Sequence, residues 1–248
     1  MLQGSRLHSM IPDRYVWLVW SSAFLVPWVA VYAACPCYRQ EMAWASFITA
    51  LLGLTEPLFV PAYWSPPSLF DLARTTGFDI ESLIFSFGIG GLGAVLYNLL
   101  IGRVLIAMQA TQRQAPRHKF HYWALAAPFL SFPILYLFPW NPIYAAIVAM
   151  VLGAVATMLC RPDLVRKTWA GALLFVAFYS VFLMGVELTA PGYVARVWNL
   201  DALSGVRMIG MPVEEFLFAA AFGAYWSGVY EHFTWKGLSE RPRLADVR

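Results

Sequence analysis

Two glutamate motifs stand at the starts of apolar segments, and both have residue types that could handle protons. One motif, residues 211–218, contains Glu214 and Glu215, and the other, residues 78–85, contains Glu81. A glycine lies four residues before the first glutamate in both cases, at positions 77 and 210, and a phenylalanine lies four residues after it. A carboxyl group at hydrocarbon depth is energetically expensive, and such residues are usually functional. The repeated setting predicts a proton-handling site that arose by duplication.

Aromatic residues follow these acids at helical spacing. One face of the second motif's helix carries Glu214, Phe218, Phe222 and Tyr225. Phe85 follows Glu81 in the same way. In a dry site the loss of solvation favours the neutral form of a carboxyl group, which can then act as an acid. Ring faces stabilise a nearby cation. An acid that protonates an alkene, with rings that shelter the carbocation, would suit a cyclase that needs no redox cofactor and no metal.

Two further acids, Glu56 and Glu187, each precede an aromatic loop segment, and we expect them at the same depth as the two motifs. The simpler alternative is that Glu81 and Glu214 cap their helices, since a carboxylate stabilises a helix N-terminus. Capping explains the position of one glutamate but not four acids at one depth.

The segments that hold these acids are membrane helices by composition. The 248 residues are 60% hydrophobic and only 12% charged, whereas a soluble domain carries about 25% charged residues. The mean hydropathy is +0.61. The basic residues lie between or beside apolar runs, so the net charge of +3 predicts no nucleic-acid partner. No histidine or cysteine pattern has metal-ligand spacing, so we expect no metal site and no cofactor.

Apolar runs of about 20 residues predict seven transmembrane helices and an all-α, polytopic bundle. The predicted spans are 15–34, 43–64, 82–109, 120–139, 142–160, 168–189 and 212–232. The run Gly88–Gly93 lies inside an apolar span, where small residues favour close helix packing over a dinucleotide fingerprint.

The matching motifs predict two parallel three-helix repeats joined by a linking helix. The first repeat covers residues 1–110, the linking helix 111–141, the second repeat 142–235 and a charged cytoplasmic tail 236–248. Five of the 17 basic residues fall on one side of this arrangement and twelve on the other. That asymmetry predicts a plasma-membrane protein with its N-terminus outside and its C-terminus in the cytoplasm. The sequence leaves homo-oligomerisation open.

The segment Gly210–Phe218 resembles the Pro-x-Glu-Glu motif of the small membrane lycopene cyclases, and Trp198–Asp201 is similar to the loop that precedes it in that family. The resemblance extends over most of the chain in the number of spans and the position of the motifs. It implies an intramolecular lyase or isomerase that closes the ends of a lipophilic linear carotenoid to β-type rings. It also implies acid or base roles for Glu214, Glu215 and Glu81.

The first half departs from the family's motif, with Asp79 in place of the proline and Ser82 in place of the second acid.

The acids and the rings together suggest a mechanistic hypothesis. In it a protonated glutamate, by preference Glu214, protonates the terminal double bond of a linear polyene. Glu215 or Glu81 then removes a proton after ring closure. The side chains predicted to bind the substrate are Phe85, Phe218, Phe222, Tyr225, Glu56 and Glu187.

Several alternatives compete with the cyclase. A retinal protein would need a lysine in the middle of a span, but Lys119, Lys167 and Lys236 are all predicted to flank spans. A prenyltransferase would need aspartate-rich Mg²⁺ motifs, which the sequence lacks. A proton-coupled transporter and a non-catalytic isoprenoid- or carotenoid-binding membrane protein stay open.

The remaining polar residues of the spans have ordinary interpretations. Glu41, Asp163 and Glu231 are expected to be flanking charges near the inner surface, and Asn98 to form hydrogen bonds across helices. The two histidines of a basic loop, at positions 118 and 121, are expected at lipid headgroups.

Overall fold

The computed structural model describes residues 10–240 of the chain. Arg6 and most of the predicted tail, residues 241–248, lie outside the described residues.

The described chain is mostly helical. The longer helices are α1 (Asp13–Ala23), α2 (Leu25–Ala34), α3 (Arg39–Gly53), α5 (Ile80–Ile101), α7 (His121–Tyr136), α8 (Pro142–Cys160), α9 (Val165–Thr189) and α11 (Val213–Trp226). The short helices are α4 (Leu72–Thr76), α6 (Ala110–Arg113), α10 (Tyr193–Val197) and α12 (Val229–Thr234). Short 3-10 turns link several of them, at Pro36–Tyr38, Glu56–Leu58, Pro116–Phe120, Pro162–Leu164 and Leu200–Ala202.

Four helical segments within the described residues are long and apolar enough to cross a membrane. They are Asp13–Ala34, Ile80–Ile101, Pro142–Cys160 and Pro162–Thr189. The other three predicted spans contain the shorter helices α3, α7 and α11, with 15, 16 and 14 residues. At 1.5 Å per residue such helices are roughly 21–24 Å long, less than the ~30 Å hydrocarbon core. Residues 10–240 thus contain four helical segments of spanning length where the sequence predicted seven.

Proline and glycine account for the interruptions in the predicted spans. Pro27 has no N–H for the carbonyl of Ala23, and the first span divides there into α1 and α2. The predicted span 43–64 ends as a helix at Gly53, because Pro57 lies in the following 3-10 turn. The span predicted at 212–232 breaks between α11 and α12, around Gly228.

The all-α prediction missed two small antiparallel sheets. Helix α5 stops at Gly102, which has a φ of 63°, and strand β1 (Arg103–Ala107) follows at once. This strand pairs with β4 (Lys236–Glu240). The first residues of the predicted tail therefore form a strand against the end of α5. The second sheet consists of β2 (Arg207–Met208) and β3 (Met211–Pro212), directly before α11.

The bundle centres on α5, whose glycines allow close packing as predicted. A Cβ atom at Gly90 would lie 2.8 Å from the carbonyl oxygen of Ala45 in α3. The carbonyl of Gly90 also accepts a hydrogen bond of 3.1 Å from the indole of Trp226 at the end of α11. Helices α3 and α11 therefore both lie directly against α5, and α9 packs along α11.

Candidate functional site

The two helices that carry the glutamate motifs begin at the same end of the bundle, which we call the acid-bearing end. The loop before α5 and the loop before α11 are joined there by an isolated β-bridge between Trp64 and Trp198. The amide of Asn199 donates to the carbonyl of Tyr63 over 2.9 Å. These backbone contacts hold the two halves of the chain together beside the acids.

Glu215 is the most heavily hydrogen-bonded acid of this end. Its side chain is only 3% exposed. One carboxylate oxygen accepts hydrogen bonds from the Tyr63 hydroxyl and, over 2.7 Å, from the Trp198 indole. The other oxygen accepts a bond of 2.7 Å from the Tyr179 hydroxyl in α9. Three donors from three segments therefore satisfy a buried carboxylate that would otherwise destabilise the fold.

Glu56 meets the start of α5. One of its oxygens accepts a hydrogen bond of 2.7 Å from the Ser82 hydroxyl, and the other accepts one of 2.8 Å from the Asp79 amide. The Trp17 indole donates to the same Ser82 oxygen over 3.2 Å. Because a hydroxyl can accept as well as donate, the contact between Ser82 and Glu56 suits either protonation state of the acid.

Asp79 and Glu81 complete an acidic cluster around Glu56. Asp79 is the N-cap of α5, and its side chain accepts a hydrogen bond of 2.6 Å from the Ser82 amide. Glu81 accepts a bond of 2.7 Å from the Leu69 amide and so fixes the loop before the helix. The second oxygen of Asp79 is buried and has no hydrogen-bond partner among the described residues. Helix capping thus explains Asp79, whereas Glu56 has no capping role.

The side chain of Glu214 has different hydrogen-bond partners from that of Glu215. One oxygen accepts hydrogen bonds from the Tyr144 hydroxyl at 2.6 Å and from the Ser204 amide at 2.9 Å. Its other oxygen is buried without a hydrogen-bond partner in the described part of the chain. Glu214 lines a separate pocket with the loop that contains Ser204 and the 3-10 turn before it, rather than the central cavities.

Glu187 is not brought to the other acids. Its carboxylate accepts hydrogen bonds from the amides of Gly192 and Val194 and closes the turn after α9. The predicted equivalence of Glu56 and Glu187 therefore does not extend to their contacts in the structure.

Two adjacent apolar cavities lie beside the acid-bearing end. The first, of about 170 Å³, has an aromatic wall to which Trp17, Phe85 and Phe218 contribute. The second, of about 290 Å³, shares Phe85 and Phe218 with it and extends along Phe222 and Tyr225. All four aromatic residues predicted to bind the substrate, Phe85, Phe218, Phe222 and Tyr225, thus line this space.

Of the described acids, Glu56 is the one in the wall of the first cavity. Glu215 lies behind that wall, because its three donors Tyr63, Tyr179 and Trp198 line the cavity themselves. Glu56 and the hydroxyl groups that bond Glu215 therefore lie next to one apolar space. Glu214 and Glu81 do not line either central cavity.

Sequence reasoning missed several of the polar contacts. Tyr63 was visible only as a member of an aromatic loop segment and Trp198 only as part of the loop that resembles the family's. Tyr144 carried no signal beyond its position near the start of a span. Tyr179 sits in the middle of an apolar helix, where an aromatic residue is ordinary core. The local spacing of residues does not reveal which side chain will donate a hydrogen bond to a carboxylate on another helix.

A second buried polar cluster lies at the opposite end of the bundle, where α5 ends and α9 begins. Lys167 forms ion pairs with Glu41 at 3.3 Å and with Glu231, and all three side chains are fully buried. The Asn98 amide donates to both glutamates over 3.2 Å, which confirms its predicted cross-helix role. The prediction that Glu41 and Glu231 are flanking surface charges was wrong. Asp163 is half-exposed and pairs with Arg161.

The two loop histidines were also predicted wrongly. His118 and His121 are 7% and 2% exposed, so they are buried inside the protein rather than placed at lipid headgroups. The chain between α6 and α7 folds inward there as a 3-10 turn, Pro116–Phe120, that continues directly into α7.

The fold and the site together define a helical membrane protein with carboxyl groups around an aromatic-lined cavity. Residues 141–233 match the family model described as "Lycopene cyclase". This part of the chain, from α8 to α12 with Glu214 and Glu215, is therefore similar to the lycopene cyclase family. The match supports an enzyme of the carotenoid cyclase kind at the family level. No curated protein and no solved structure gives a significant match.

Proposed function

We propose that this protein is a carotenoid cyclase that closes the ψ end group of a lycopene-type polyene to a β-type ring by acid–base chemistry without net redox change. The observation that carries the proposal is the position of Glu56, a buried carboxyl group in the wall of an apolar, aromatic-lined cavity. The family match of residues 141–233 supports the substrate class.

The proposed reaction begins with proton transfer from Glu56 to the terminal double bond of the polyene. This assignment replaces Glu214, the acid preferred from the sequence, because Glu56 borders the aromatic-lined cavity and Glu214 borders a separate pocket formed by a loop. The neighbouring double bond attacks the resulting cation and closes a six-membered ring. Loss of a proton from the ring then restores a double bond, so one proton enters and one leaves.

The proton acceptor in this scheme is Glu215, reached through the hydroxyl of Tyr63 or Tyr179. Both hydroxyls bond the Glu215 carboxylate and both residues line the cavity. Phe85 and Phe218 lie between the cavities, where their ring faces would stabilise the cation. Glu81 and Glu214 act in this proposal as positioning residues for the loops that they bond.

We also propose that the two halves arose by duplication, as parallel three-helix repeats joined by a linking helix in a multi-pass plasma-membrane protein. A matched turn supports this origin. Cys35 before the 3-10 turn Pro36–Tyr38 has φ −124° and ψ 76°, and Arg161 before Pro162–Leu164 has φ −125° and ψ 73°. Both turns connect an apolar helix to the next one. The outside position of the N-terminus rests on the asymmetry of the basic residues.

A proton-coupled transporter is the second candidate, and the buried Lys167 cluster favours it. Ionisable groups inside a membrane bundle often belong to proton relays. A transporter or a carotenoid-binding protein would leave the structure of the polyene intact, whereas a cyclase changes it.

Coexpression in a lycopene-accumulating host tests the proposal. We expect chromatography to show cyclised carotenoid with the unchanged chain, and no cyclised product with Glu56→Gln. The matched control is Glu187→Gln, which removes an acid of the same end that does not border the cavity, and its product should match the unchanged chain. Unaltered lycopene with the unchanged, membrane-inserted chain would refute the function. A parental rate with Glu56→Gln would refute the assigned acid.

A further inference from the structure

Three potential metal ligands meet at the opposite end of the bundle, far from the proposed cyclase site. His121 begins α7, Cys160 ends α8, and His232 lies in α12. Each offers one ligand atom, and these atoms all lie within 4.8 Å of one another. The side chains are only 2%, 4% and 0% exposed. Linear spacing could not reveal this cluster, since its members come from three distant segments.

The histidines of this cluster are incompletely hydrogen-bonded. The Cys160 sulfur lies 3.6 Å from Nδ1 of His121, and the Thr157 hydroxyl lies 3.2 Å from Nδ1 of His232. Nε2 of both rings is buried without a hydrogen-bond partner among residues 10–240. An unsatisfied buried polar atom destabilises a fold by about 1–3 kcal/mol. Nε2 of the neighbouring His118 is unpartnered as well, so it is the convergence of the three ligand atoms, together with these unsatisfied rings, that points to a bound ligand.

The surrounding residues hold the rings in place. The His121 ring stacks on Trp235 with centroids 3.7 Å apart and meets the His232 ring edge-on at 4.7 Å. The Thr157 contact orients His232 through one nitrogen and leaves the other for a ligand, which is the usual arrangement around metal-binding histidines.

The nearby charges are compatible with a cation if the thiol ionises. Arg161 adjoins the cluster, but its guanidinium is held by the Asp163 carboxylate at 2.6 and 2.9 Å and by the carbonyl of Glu231 at 3.0 Å. Metal binding releases the thiol proton of Cys160, and the thiolate supplies the compensating negative charge.

We propose that His121, Cys160 and His232 form a Zn²⁺ site that ties α7, α8 and α12 together. Two imidazoles and one thiolate suit this borderline-soft ion, and three protein ligands leave one of its four positions for a further ligand. Bond lengths of about 2.0–2.3 Å require the ligand atoms to move closer by roughly 1 Å. The site contradicts the expectation from sequence that no metal is bound, and it is independent of the proposed cyclase activity.

His118 is the nearest further histidine, and it provides a matched control. Its ring centroid lies 6.4 Å from that of His121, and it is buried like the three ligands. It falls outside the group whose ligand atoms converge. Cys35 provides the control for the thiol, since it is a free cysteine in the turn after α2.

The experiment uses the full chain, purified in detergent with a tag that contains no histidine. After removal of metal with a chelator and incubation with Zn²⁺, we expect mass spectrometry to find one zinc per chain. Cys160→Ser should lower this content by roughly tenfold or more, whereas Cys35→Ser and His118→Gln should retain it. Zn²⁺ should raise the melting temperature of the metal-free protein, and Mg²⁺ should not.

Cobalt substitution keeps the test decisive if Cys160→Ser fails to fold. Co²⁺ added to the unchanged metal-free chain should produce a thiolate-to-cobalt charge-transfer band. Absence of this band would overturn the proposal, as would equal zinc content in folded Cys160→Ser and Cys35→Ser.

Discussion

The hydrogen bond between Tyr63 and Glu215 is expected to stabilise the fold measurably. Tyr63→Phe removes one of the three donors to this carboxylate and leaves Tyr179 and Trp198 in place. Hydrogen bonds to charged groups stabilise proteins by about 1.5–3 kcal/mol each. We therefore expect Tyr63→Phe to lower the free energy of unfolding by that amount, with the aromatic ring and its packing retained.

A double-mutant cycle isolates this bond from other effects of the substitutions. Glu215→Gln removes the charge of the acceptor but keeps an oxygen that can accept, so the double variant should be less destabilised than the sum of the two single variants by about 0.5–3 kcal/mol. The assay is reversible denaturant-induced unfolding in detergent micelles, followed by tryptophan fluorescence. The control is Tyr136→Phe, which removes an exposed hydroxyl 3.4 Å from the Leu58 carbonyl and should change stability by less than about 0.5 kcal/mol. Additive effects within about 0.5 kcal/mol would refute a direct bond between the two side chains.

Three further substitutions test the packing, the second polar cluster and the cavity. Lys167→Met leaves two buried glutamates without their cation, and it should destabilise the protein by about 3–5 kcal/mol, measured as a lower melting temperature or a loss of folded protein. Gly90→Ala places a methyl group against the α3 backbone and should cost about 1–3 kcal/mol in the same measurement. Phe218→Leu keeps an apolar side chain in the cavity but removes the ring face. It should slow carotenoid cyclisation by roughly 2- to 30-fold, since a cation–π contact contributes about 0.5–2 kcal/mol.

Each of these substitutions has a matched control. Lys119→Met removes a lysine for which the structure gives no ion pair among the described residues, and it should leave the melting temperature unchanged within error. Gly228→Ala adds a methyl group whose nearest contact is an ordinary 3.5 Å. Phe47→Leu alters a ring that is 64% exposed and should leave the cyclisation rate unchanged. Equal effects of a variant and its control would contradict the corresponding structural reason.

Local patterns in the sequence predicted those features that depend on neighbours in the chain. The glycines of α5 indicated close helix packing, and the Gly90 contacts confirm it. The acids of the two motifs were expected at one end of the bundle, and Glu81 and Glu215 lie there. Phe85 and Phe218 follow their acids by one helical turn and do line a common cavity.

Features set by contacts between distant segments were not predictable in this way. Glu56 contacts Ser82 because the chain turns at Pro57 instead of continuing as a helix. A prediction from hydropathy alone assigns such an apolar turn to the membrane span. Lys167 appeared to flank a span, yet Glu41 and Glu231 from two other helices enclose it. Periodicity shows which residues share a helix face. It does not show which faces meet.

Ring closure started by a proton from Glu56 is tested most directly by following deuterium from solvent into the product. Purified protein in detergent is incubated with unlabelled lycopene in D₂O, and the mass of the cyclised carotenoid is measured by mass spectrometry. The proposed reaction adds one deuterium from the solvent-exchanged carboxyl group for each ring that closes. Glu56→Gln should yield no labelled product, while Glu187→Gln should label like the unchanged chain. Cyclised product without deuterium, or equal labelling by Glu56→Gln, would contradict the proposed mechanism.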